Sequence, residues 1–84
     1  MTHTSKPTNQ DRARWARDAL AVFTDATYSG DDPDIMNRDD LESAIADLIC
    51  DLMHYARQQG FETGSIMQQA CVLFGMELLE EAQP

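Results

Sequence analysis

Asp47, Asp51 and His54 stand at i, i+4 and i+7, which puts two carboxylates and an imidazole on one side of a helix. Those are the side chains a divalent metal takes. A site built on them still needs a ligand from another element, and no Glu-x-x-His pattern or second matching histidine supplies it. The plainer reading is a solvated acidic face with His54 beside Asp51, which would favour the charged imidazole. The acidic run DDPDIMNRDDLE fails as a calcium loop. Counted from Asp32, Met36 falls on a ligand position, Asn37 where glycine is needed, and Ser43 where a bidentate glutamate is needed. Cys50 has His54 one turn on, but no third group orients the pair, and Cys71 sits among Ala70, Leu73 and Phe74. Both cysteines read as buried, unreactive thiols. Nothing here identifies a reaction, a cofactor or a metal, and the expectation is a protein that is not an enzyme.

The remaining chemistry is the carboxylates themselves. The chain of 84 residues carries 15 acids against 6 bases, a net charge of −9, and the charge is uneven. Residues 1–17 hold four bases and one acid, residues 18–51 ten acids and one base, and the remainder four acids and one base. Asp31, Asp32 and Asp34, then Asp39, Asp40, Asp47 and Asp51, run from a loop along one helix. Carboxylates about a turn apart approximate the spacing of phosphates along a nucleic-acid strand, roughly 7 Å through space. Such a row repels nucleic acid and attracts a basic protein or nucleoprotein complex. These seven aspartates are therefore the candidate partner-binding residues, with ordinary solubilising charge as the alternative.

The element that must carry them is Arg38 to Gly60. Leu41, Ile45, Leu48, Ile49, Leu52 and Ala56 recur at steps of three and four, so one side of this helix is apolar while the other carries Asp40, Asp47, Asp51 and His54. Asn37 is its expected N-cap, with Asp40 placed for a capping box, and Gly60 its stop. Ahead of it a polar stretch at residues 1–8 reads as a flexible tail. A first helix over about 9–28 follows, with Trp15, Ala19, Val22, Phe23 and Ala26 as its stripe, and Trp15 is expected against the central helix. The connector SGDDPDIMN breaks the helical pattern, with Ile35 and Met36 tucked back on the core.

After Gly60, Phe61 is placed to pack beneath the turn, and Thr63 or Ser65 to cap a third helix over about 64–82. That helix is apolar over more than half its circumference, which requires two neighbours. Gly75 lies inside it, where glycine costs about 1 kcal/mol relative to alanine; a close backbone approach would account for it, and so, equally, would a plain local weakness. The expected fold is all-α: one domain over residues 9–82, three helices near 9–28, 38–59 and 64–82, with the second and third as an antiparallel hairpin. At this length a second copy is a plausible source of further core, so a homodimer is the alternative function class: an assembly or adaptor module working through the third helix. No run of 18 apolar residues suits a membrane span. Two cysteines without CxxC spacing and without a secretory signal suggest a cytoplasmic protein.

The segment DLICDLMHYA at residues 47–56, followed by Gly60-Phe61 and a helix ending Leu78-Leu79-Glu80-Glu81, resembles a class of small proteins carried by phages and integrated mobile elements. The resemblance covers about residues 40–81. It transfers no functional residue, since most of that class has no assigned activity. It does imply a setting in which small acidic proteins inhibit host defence, including anti-CRISPR proteins that block nucleic-acid-handling complexes.

Overall fold

The computed structural model describes residues 6–82, so most of the tail expected over residues 1–8 lies outside the described residues. Three helices follow in order, α1 (Asn9–Thr27), α2 (Arg38–Gln58) and α3 (Thr63–Ala82), with no strand among the described residues. The architecture is all-α.

Local chemistry sets each end. Thr8 Oγ1 accepts from the Asp11 N–H at 3.0 Å and the Thr8 N–H donates to Asp11 Oδ2 at 3.0 Å, a complete capping box. At α2, Asn37 Oδ1 accepts from the Asp40 N–H at 2.8 Å, but the return bond comes from the Asn37 side-chain amide at 2.9 Å, not from its backbone. Gly60, at φ +84°, ends α2 in a Schellman arrangement: its N–H donates to the Arg57 carbonyl at 3.0 Å and the Phe61 N–H to the Ala56 carbonyl at 3.0 Å. The start of α3 corrects the expected cap. Glu62, not Thr63 or Ser65, holds the first turn, its Oε1 accepting from the Ser65 N–H at 2.7 Å and the Ser65 hydroxyl at 3.0 Å.

Thr24 organises the α1–α2 connector. Fully buried, it donates from Oγ1 to the Asp31 carbonyl at 2.8 Å, while its own carbonyl accepts from the Tyr28 N–H at 2.8 Å. Ser29 and Gly30 both take positive φ, 57° and 82°, to turn the chain back. Pro33 is thereby buried along with Leu20, Ala44 and Ala56, which form the whole core among the described residues.

The helices do not close as an up-down-up bundle, in which the start of α1 would lie beside the start of α3. Instead, Asn9 Nδ2 donates to the Glu77 carbonyl at 3.0 Å, the Asn9 N–H to Glu81 Oε2 at 2.7 Å, and Arg12 Nε lies 3.3 Å from Glu77 Oε2. Glu77 is fourteen residues past Thr63, about 21 Å along α3. The three helices thus form a triangle that meets at its corners. α2 and α3 are apposed over the halves nearest their turn, Ile49 to Ala56 against Thr63 to Ala70. The radius of gyration is 15.2 Å, where a compact domain of this length has about 12 Å.

That openness overturns several packing expectations. Trp15 is 55% exposed rather than seated on α2, and Phe61 and Ile35 stand out in solvent. No residue of α3 is buried, so its apolar arc lacks the two neighbours expected of it. Cys50 and Cys71 are both exposed free thiols, not core residues. The causes differ: α1 turns Ala13, Ala16 and Leu20 toward α2 and leaves its Trp15 and Val22 side outside, while α3 meets α2 at its start and α1 at its end and leaves its middle open.

Candidate functional site

The seven candidate aspartates divide according to what they already hold. Asp32 and Asp34 are drawn onto α1 by Arg17: Nη2 lies 2.9 Å from Asp32 Oδ1 and 2.8 Å from Asp34 Oδ2, and Nε donates to Asp34 Oδ1 at 3.1 Å. Asp32 Oδ1 also accepts from the Asp34 N–H at 2.8 Å, an Asx turn that pins the loop. The hydrogen bond from Arg17 holds the Asp34 carboxyl below its ordinary range, and the same bond raises the Arg17 pKa. Arg17 belongs to the basic N-terminal region, and here it neutralises part of the acid expected to meet a partner.

On α2, Asp40 is taken up with the Asn37 amide, and Asp47 accepts a short hydrogen bond from the Tyr28 hydroxyl. That bond to a carboxylate pushes the Tyr28 pKa up. The carboxylates of Asp31, Asp39 and Asp51 make no hydrogen bond or ion pair among the described residues. The continuous acidic row seen in the sequence is therefore, in three dimensions, three held contacts and a remnant of free carboxylates, Asp31 in the connector and Asp39 and Asp51 on α2.

His54 forms no hydrogen bond with Asp51, and no group of three or more His, Cys, Asp or Glu side chains is arranged to hold a metal among the described residues. No described helix is long and apolar enough to cross a membrane.

The larger feature is apolar. Between α1 and α2 runs a groove of about 530 Å³, walled by Ala13, Ala16 and Leu20 on one side and by Leu41, Ile45 and Leu48 on the other. Its only charged lining residues, Arg17 and Asp34, are paired with each other. A second hollow of about 210 Å³ lies between Leu52 and Met53 of α2 and Ile66 and Met67 of α3. The stripe read from the sequence as the core face of α2 thus forms the floor of an open groove. Ile45, Ile49 and Leu52 remain 41–57% exposed. The sequence signal for this was the wide apolar arc of α3, which asks for more cover than three helices of this length supply.

No family model, no curated protein and no solved structure matches the chain.

Proposed function

We propose that the chain is a non-enzymatic protein-interaction module whose open apolar surface, centred on α2, takes up a helix. The observation that carries this reading is the groove between α1 and α2, lined almost wholly by aliphatic side chains on a protein with a net charge of −9. Exposed apolar surface of that continuity marks an interaction site. An amphipathic helix is the element that fits a groove walled by two helices, its i, i+3, i+4 and i+7 side chains entering between them.

A second reading concerns the remaining acid and rests on Asp31 in the connector and Asp39 and Asp51 on α2, whose carboxylates are without partners among the described residues. Here the acid docks on a basic surface. The resemblance to mobile-element proteins gives that partner a class, a nucleic-acid-handling complex of the kind anti-CRISPR proteins block. The two readings use apolar and charged surfaces respectively and are separable by salt, because exposed charges are screened beyond about 10 Å at 0.1 M.

The test is affinity capture from a host lysate at low and high salt, with the bound proteins identified by mass. Three baits are compared: the natural chain, Ile45→Glu, and Asp39→Asn with Asp51→Asn. A partner kept at high salt and lost with Ile45→Glu supports the apolar reading. One lost at high salt and with the double Asn bait supports the acidic reading. Equal capture by all three baits overturns both.

A further inference from the structure

We infer that the helix occupying the α1–α2 groove is α3 of a second copy, so that the working form is an isologous homodimer in which each chain covers the other's opening. This rests on the apolar reading of the groove and names its occupant.

The first support is area. The chain exposes 6970 Å², where a compact monomer of 9.4 kDa exposes about 5000 Å². The excess is of the order that an obligate homodimer buries per chain, about 1000–2500 Å².

The second is self-complementarity. The chain presents a groove that lacks a helix and a helix that lacks a groove. From Thr63 to Met76, α3 has no charged side chain, and from Ala70 to Met76 it has no polar one either, so these two turns are apolar on all sides, as in a buried helix. Its side turned toward α2 carries Ile66, Met67 and Ala70. Its other side carries Val72, Met76 and Leu79, exposed by 55, 54 and 66%. The chain's own α3 does not reach its own groove, because one end is tied to α2 by the Gly60 turn and the other to α1 by Asn9 and Arg12. A two-fold axis supplies both missing partners at once, and the contact closes on itself.

Gly75 is the third support. It lies one turn from Val72 and Leu79 on the same side, and a Cβ there meets nothing within 4 Å in its own chain. Its lack of a side chain has no explanation inside one chain and has one where a neighbouring helix passes closely.

Charge is compatible with this pairing. The groove holds no unpaired charge, and α3 carries none from Thr63 to Met76, so the pairing places no lone ion in the middle of the contact.

Light scattering on the intact chain at micromolar concentration tests the stoichiometry, and isotope-filtered nuclear Overhauser spectra on a mixture of labelled and unlabelled chains test the arrangement. Twice the 9.4 kDa chain mass, with intermolecular signals from Val72 and Leu79 to Ile45 or Leu48, is the expected result. Val72→Glu and Leu79→Glu alter side chains without a partner in the single chain and should each raise the dissociation constant about tenfold or more. A dimer whose intermolecular signals run between the two α3 helices overturns the inference. So does a monomer, and anilinonaphthalene sulfonate then separates the levels. Dye bound by the monomer and lost in Ile45→Glu leaves the groove a binding surface for another protein, while absence of dye binding removes that reading too.

Discussion

The guanidinium of Arg17 meets the carboxylate of Asp34 fork to fork, Nε to Oδ1 at 3.1 Å and Nη2 to Oδ2 at 2.8 Å, and so joins the middle of α1 to the connector that precedes α2. Because Arg17 and Asp34 also sit at the rim of the groove, the same pair fixes its mouth. A bidentate pair of this kind specifies geometry as well as charge.

The pair predicts a pH dependence of defined sign. Hydrogen bonding from Arg17 depresses the folded pKa of Asp34 below 3.8. A depressed carboxyl adds stability that is present above the unfolded pKa and lost as pH falls through the folded one. Relief of the net negative charge on acidification acts on the whole chain, so the comparison is with Asp34→Asn. The difference in Tm between the two proteins should be constant above about pH 5 and shrink below 3.8. A difference that persists unchanged to the acid limit would contradict the contact.

Tyr28 and Asp47 predict the opposite limb. The Tyr28 pKa is raised above 10.0 by its hydrogen bond to the carboxylate. A raised pKa contributes stability that is complete below the unfolded value and lost as pH climbs through the folded one. Thermal melts should therefore fall on the alkaline side of pH 10, and Tyr28→Phe, already without the bond at neutral pH, should show a shallower fall. Equal alkaline slopes for the two proteins would mean the bond does not form in solution.

The caps give a stability prediction. Thr8→Ala and Asn37→Ala each remove a side-chain acceptor from a helix start, and each should lower unfolding stability by about 1 kcal/mol in urea. The two sites share no partner, so the double variant should show the sum. All samples need one protein concentration, since association would otherwise move the midpoint. An effect below about 0.3 kcal/mol at either site would show a frayed first turn.

How far the sequence was legible follows from the range of each interaction. The three helices, with the start of α2 at Asn37 and its stop at Gly60, rest on neighbours within a turn, and spacing reveals those directly. Glu62 escaped as the cap of α3 because Thr63 and Ser65 are commoner cap types beside it. The fate of the aspartates was hidden for a different reason. Arg17 reaches Asp32 and Asp34 across fifteen and seventeen residues, a distance over which charge totals count the ions but do not pair them. The mistake over Trp15, Cys50 and Cys71 is of the same kind. An apolar stripe shows that a face seeks cover, and it does not show whether the cover comes from the same chain. Thr24 gave no signal at all, being a polar residue outside the stripe read for α1, on the side of Leu20 that the Asp31 carbonyl comes to cover.

Two glycines, one at the turn after α2 and one inside α3, separate a backbone requirement from an interface requirement. Gly60 sits at φ +84° with open space around a Cβ, so Gly60→Ala meets backbone strain alone and should lower stability by about 1–2 kcal/mol at any protein concentration. Gly75 is helical with equally open space in its own chain, and alanine there favours the helix by about 1 kcal/mol. If that side of α3 faced water, Gly75→Ala would raise Tm by the same amount in dilute and concentrated samples. If it enters the groove of a second copy, the added methyl group meets the partner, and Gly75→Ala should weaken association. Its Tm would then fall below that of the natural chain as concentration rises, since the natural dimer gains more from mass action. Melting curves for both variants over a hundredfold concentration range decide between these outcomes, and a concentration-independent rise for Gly75→Ala would return α3 to the solvent.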